Sequence, residues 1–96
     1  MQKWSDIQYR DFYDVPRIVV ARQGEELFLF RSRFDDSNDE YVDYYEVYRM
    51  PVLAADELNG SWVGLEQRAL AKLENIPLDG LPFSVTRRGV SGNDNF

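Results

Sequence analysis

The chain contains no cysteine and no histidine. Without cysteine there is neither a disulfide nor a thiolate metal cage, and zinc sites of the usual histidine and thiolate type are closed. Only an all-oxygen cation site is left open. The commonest general base near neutral pH and the best soft nucleophile are missing too. No glycine-rich phosphate loop, nucleophile elbow or dinucleotide fingerprint is present. These absences point away from an enzyme and from any bound cofactor.

Long apolar runs are also lacking. No stretch approaches the roughly 20 residues that span a bilayer, and the first twenty positions carry charges and Pro16 where a signal peptide would have an apolar centre. A soluble, cytoplasmic setting with no membrane partner is expected.

Positive charge is scarce: Lys and Arg number 11 against 17 Asp and Glu, a net charge of −6. That balance argues against a sequence-independent grip on nucleic-acid phosphates, which needs a basic footprint. It also disfavours anionic lipid surfaces. A charged partner is expected to be basic.

With 96 residues the chain has room for one domain. Its stability has to come from packing, and an aromatic content of 15% supplies large buried areas for a short chain. A single domain is expected over 1–88. The polar, glycine-bearing end, 89–96, reads as a disordered tail.

Four segments read as strands ahead of the helix, the first being an irregular one over Ile7–Tyr13. Arg17–Arg22 is short and rich in β-branched residues, Gln23-Gly24-Glu25 supplies a turn, and Glu26–Phe34 is its hairpin partner. Phe28, Phe30 and Phe34 fall on one face of that partner, and Leu27, Leu29, Arg31 and Arg33 on the other. Both faces begin apolar, so this strand is expected to be central and covered on two sides. Tyr41–Met50 has strong β-propensity and ends at Pro51.

A helix is expected next, because Trp62, Leu65, Ala69, Leu70, Leu73 and Ile76 recur at helical spacing. Ser61 is its candidate N-cap, Gly64 weakens its first turn and Pro77 stops it. Pro82–Arg87 alternates as a closing strand. The expected fold is α+β: a twisted antiparallel sheet of four or five strands packed against one helix. The alternative is a small, partly open SH3-like barrel with a helical insertion.

What stands out in the composition is Phe34–Tyr48, which carries six carboxylates and four tyrosines and no positive charge. It divides into a polar connection, Asp35–Glu40, and the tyrosine strand. Asp35, Asp36, Asp39, Glu40 and Asp43, with Tyr41 and Tyr45, form the candidate binding surface. It suits a non-catalytic interaction module that meets a basic protein surface, as a small inhibitor, immunity protein or regulatory adaptor does. Such a module would be a monomer or a weak homodimer. A homo-oligomer built on an aromatic edge strand is a further reading.

A cation site is the other candidate. Taking Asp35 as the first position of a twelve-residue calcium loop puts Asp35, Ser37, Asp39, Asp43 and Glu46 at ligand positions. The stretch resembles an EF-hand loop there. It departs from the pattern at Glu40, where the sharp turn calls for glycine, and both flanks alternate like strands. Carboxylate-pair chemistry on the same residues would need burial that a solvated loop does not give.

Arg31 with Arg33, and Arg87 with Arg88, are the remaining charge clusters. Cross-strand pairing with nearby carboxylates is their expected role, ahead of an anion clamp. Trp62 is expected in the core; Trp4 either caps the core edge or serves as an exposed anchor.

Overall fold

The computed structural model describes residues 3–86 and 89–90. Its strands in chain order are β1 (Trp4–Tyr13), β2 (Val15–Gln23), β3 (Glu26–Arg31), β4 (Phe34–Asp35), β5 (Glu40–Tyr41) and β6 (Tyr44–Met50). After the short helix α1 (Ala55–Asn59) come β7 (Ala71–Lys72), β8 (Ile76–Pro77), β9 (Val85–Thr86) and β10 (Gly89–Val90). The main sheet is antiparallel and six-stranded, in the order β1-β2-β3-β6-β7, with β8 also on β6. β7 meets Tyr48 and Arg49, and β8 meets Tyr44 and Tyr45. The protein is thus a sheet-rich α+β domain.

The β2–β3 hairpin forms as its sequence indicates. Gln23 pairs with Glu26, and Gly24 takes φ 62°, a left-handed value that a side chain would oppose. Strand alternation then sorts the core. Ile18 and Val20, Leu27 and Leu29, and Tyr48 and Met50 face one side, joined by Leu53, Trp62 and Leu65. Val19 and Ala21, Phe30, and Tyr45 and Val47 face the other with Ile7. Trp4, Phe28, Ile76, Leu78, Leu81, Phe83 and Val85 pack over that second side. β3 is therefore central and covered on both faces, as its two apolar faces require.

Trp4 closes the edge of the core. Its ring centroid lies 5.4 Å from that of Phe28 and 5.2 Å from that of Phe83. The first strand begins at Trp4 and is irregular, its pairing with β2 shifting between Ser5 and Gln8. Asp6 and Asp11 have φ values of 50° and 57°, which Asp tolerates better than most residues.

The helix expected over Trp62–Ile76 is not formed. Trp62 and Leu65 are buried on one side of the sheet, whereas Ile76 packs on the other. No single helical stripe can reach both. Gly64 sits at φ 73°, and within the expected span the one helical element is the 3₁₀ turn Leu65–Arg68. Leu70 then donates to the Arg49 carbonyl at 2.7 Å and Leu73 to that of Val47 at 2.8 Å. The outer edge of β6 offers backbone groups that need partners, and this segment satisfies them as a strand. Leu70 is consequently 61% exposed. The one α-helix among the described residues, α1, buries no residue fully.

Other boundaries move less. The tyrosine strand begins at Tyr44 instead of Tyr41. The closing strand is reduced to Val85–Thr86, which pairs with Gly89–Val90 and not with the main sheet. Of the tail expected over 89–96, Gly89 and Val90 belong to that pair, and 91–96 lie outside the described residues. Arg87 and Arg88 lie outside them as well. Among the described residues no helix is long and apolar enough to cross a membrane.

Candidate functional site

The acidic connection is a hairpin of its own, set apart from the main sheet. Phe34 pairs with Tyr41 and Asp35 with Glu40. Asp35 organises the turn: its Oδ1 accepts the Ser37 N–H at 2.9 Å, and its Oδ2 accepts from Asn38 Nδ2 at 2.7 Å. Side-chain capture of the backbone two residues on is what makes Asp a turn former. These donors, the Ser37 N–H foremost, hold the Asp35 carboxyl below its ordinary value, so it stays charged. Asp39 completes the turn at φ 55°.

The structure places most of the expected surface together. Asp36, Asp39, Glu40 and Asp43 are exposed, and Asp35 and Tyr41 are half-buried. Asp35, Glu40 and Asp43 surround a recess of about 250 Å³ with Tyr41, Val42 and Tyr44. Tyr45 does not belong to this surface. It is fully buried, and its hydroxyl donates to the Pro16 carbonyl at 2.6 Å. Burial pushes that phenol up to about 12, although the Arg17 charge opposes the shift. Strand alternation accounts for the correction: Tyr45 shares the inward face of β6 with Val47, beneath β2 and the 76–85 segment.

Two aromatics join the surface that the acidic stretch alone did not reveal. Tyr13, beside the β1–β2 turn at Asp14, is 62% exposed and stacks against Tyr41 at 5.6 Å. Phe34 is 46% exposed and meets Tyr41 edge-on at 5.1 Å. Alternation from Phe30 would have sent Phe34 into the core, but the β3 ladder ends at Arg31. The available signal for Tyr13 was its position next to Asp14 and Pro16, where a chain reversal leaves one ring face free. Exposed aromatics rimmed by carboxylates thus occupy one end of the molecule.

Glu46 leaves the acidic set altogether. Arg33 Nε lies 3.0 Å from Glu46 Oε1, and Arg33 Nη2 3.1 Å from Glu66 Oε2. Arg31 adds a contact to Glu66 at 3.4 Å. The Tyr48 hydroxyl donates to Glu46. Burial alone would raise Glu46, but the Tyr48 and Arg33 hydrogen bonds overcome it and the net shift is downward. Glu66 is lowered against the same burial by its own N–H and by Arg33 and Arg31. Arg31 and Arg33 thus answer carboxylates across the sheet.

The calcium-loop spacing is not realised as a cage. Asp35 spends its oxygens on the turn and Glu46 on Arg33. Among the described residues no three carboxylates are arranged to hold a metal. The tyrosine strand, moreover, is internal to the sheet, paired with β3 on one side and with β7 and β8 on the other. It offers no free edge for a second copy. The chain matches no protein-family model, no curated protein and no solved structure.

Proposed function

We propose that the protein is a non-catalytic interaction module whose β4–β5 end receives a basic protein surface. The observation that carries this is the recess of about 250 Å³ in which Asp35, Glu40 and Asp43 converge beside Tyr41 and Tyr44. Carboxylates attract a Lys or Arg side chain, and tyrosine faces add cation–π attraction worth about 0.5–1 kcal/mol at exposed sites. Tyr13 and Phe34 supply the adjoining apolar contact, in keeping with the aromatic enrichment of interface centres. Asp36 and Asp39, at the rim, would mainly speed and orient encounter. An inhibitor or adaptor acting in the cytoplasm fits this arrangement.

The test is affinity capture from source-cell extract at low salt, compared across three baits. Wild type should retain a basic protein that 0.5 M salt releases, at a little under half the screening length found at 0.1 M. Tyr13→Ala with Phe34→Ala, and separately Glu40→Gln with Asp43→Asn, should each lose it. Retention of the same protein by both variants, or no salt-sensitive basic protein on wild type, refutes the proposal.

A further inference from the structure

Arg17 is buried, 7% exposed, and its partners among the described residues are neutral. Its Nε donates to the Tyr13 carbonyl at 3.0 Å, and its Nη1 to Ser32 Oγ at 3.0 Å and the Val42 carbonyl at 3.4 Å. Its guanidinium carbon lies 4.4 Å from the centre of the Tyr41 ring. Among the described residues no carboxylate is within ion-pairing distance of it, and its Nη2 has no hydrogen-bond partner. Yet Nη2 is not sealed in: the only buried side-chain nitrogen or oxygen lacking a partner among those residues is Arg22 Nε.

A buried charge without a counter-ion is costly, and buried guanidinium groups are normally answered by a carboxylate or phosphate. Arg17 lines a pocket of about 140 Å³ together with Asp11, Ser32, Phe34, Tyr41 and the neighbouring pair Arg31 and Arg33. The charges of Arg31 and Arg33 are already matched by Glu46 and Glu66. Among the described residues, Arg17 is the guanidinium in this pocket that no carboxylate compensates. Asp11 is an exposed carboxylate on the pocket wall.

We propose that this pocket is a subsite for a small oxyanion, a carboxylate or a phosphate group, held by the free Nη2 edge of Arg17. It goes beyond the basic-partner surface and does not depend on it. Its site is an anion hole between Ser32 and Tyr41, with Asp11 weakening the interaction by like charge. A guanidinium fixed on two of its nitrogens is already oriented, so little side-chain freedom is lost on binding.

The experiment follows the arginine Nε–H and backbone amide signals by NMR during separate titrations with sodium acetate, sodium phosphate and, as ionic-strength control, sodium chloride. Saturable shifts at Arg17, Ser32 and Val42 with acetate or phosphate, but not with chloride, support the subsite. The tighter of the two anions tells whether a carboxylate or a phosphoryl group is the natural occupant. Asp11→Asn keeps a residue that accepts positive φ and removes the opposing charge, so affinity should rise roughly three- to tenfold. Arg17→Lys, where it folds, should weaken binding at least about tenfold because Lys cannot present the planar edge. Shifts no different from those with chloride up to about 50 mM anion, or an Asp11→Asn variant that binds no more tightly, overturn the proposal.

Discussion

The Tyr45 hydroxyl donates to the main-chain carbonyl of Pro16 across 2.6 Å, joining the start of β6 to the start of β2. Tyr45 has no exposed surface, so this bond is made inside the core. It lies under the acidic end without being part of it. Two variants, of Tyr45 and Tyr41, therefore separate structural support from surface contact.

Tyr45→Phe removes the donor and leaves a buried carbonyl unsatisfied, a loss of about 1–3 kcal/mol. In a domain of this size each kcal/mol moves the thermal midpoint by about 4–8 °C. The folded pKa of Tyr45 is raised from 10.0 to about 12 by burial. Its stabilising contribution is therefore complete below pH 10 and is lost as pH rises towards 12. The variant should melt lower at neutral pH and lose less stability between pH 10 and 12 than wild type. Tyr41→Phe should melt close to wild type. Calorimetry across that pH range checks both.

Glu66 is the second case, because it answers both Arg31 and Arg33. Its folded pKa, like that of Glu46, lies below the ordinary 4.5. The folded state then binds fewer protons than the unfolded one in the acid range, so stability rises with pH there. The contribution is complete above 4.5 and disappears as pH falls through the lowered values. Glu66→Gln should cost about 1–3 kcal/mol at pH 7 and flatten the acid limb of a stability–pH curve. An acid limb parallel to that of wild type would show that Glu66 does not gain from its arginines.

Calcium should do nothing measurable. Asp35 and Glu46, the two ends of the calcium-like spacing, are already engaged by Ser37, Asn38 and Arg33. Thermal midpoints of wild type and of Asp35→Asn with Asp39→Asn should each be unchanged on adding millimolar calcium. A site with a dissociation constant a hundredfold below the free calcium would add about 2.7 kcal/mol, readily seen as a rise. Such a rise in wild type, abolished in the double variant, would restore the cation reading.

Much of the sheet was legible because period-two patterning is local. The alternation of Leu27 and Leu29 with Phe28 and Phe30 declared a strand covered on both faces, and both clusters are there. The acidic surface was legible as composition, since Asp36, Asp39, Glu40 and Asp43 fall in Phe34–Tyr48, which holds no cation. The 62–76 segment was not legible. Its three-and-four spacing is real, but the decisive fact is non-local: β6 has an open edge that Leu70 and Leu73 satisfy. Tyr45 was misassigned for a related reason. Composition grouped it with the other tyrosines, while the pleat turned it inward. Arg17, read only as the first residue of a hairpin, gave no sign that its partners would be neutral.

Arg10 provides the last test, and it concerns how a segment without a long helix is held on the sheet. Its Nη2 donates to the Leu58 carbonyl at 2.8 Å, and its Nη1 to that of Gly60. Its guanidinium carbon stands 4.0 Å from the centre of the Trp62 ring. Trp62 in turn donates its Nε1–H to the Leu58 carbonyl at 2.9 Å and is buried with Ile18 and Leu65. One strand residue thus secures the end of α1, the glycine after it and the indole that covers the core. Arg10→Ala should cost about 1–3 kcal/mol from the lost carbonyl bonds and the ring contact together. Lysine keeps the charge but cannot bond two carbonyls while lying flat on an indole, so Arg10→Lys should recover less than half of that loss. Hydrogen exchange should rise first at Trp62 and Leu65, whose N–H groups belong to the segment released, and not at β2 or β3. If Arg10→Lys matches wild type, charge alone is enough and the planar clasp is not what holds the segment down.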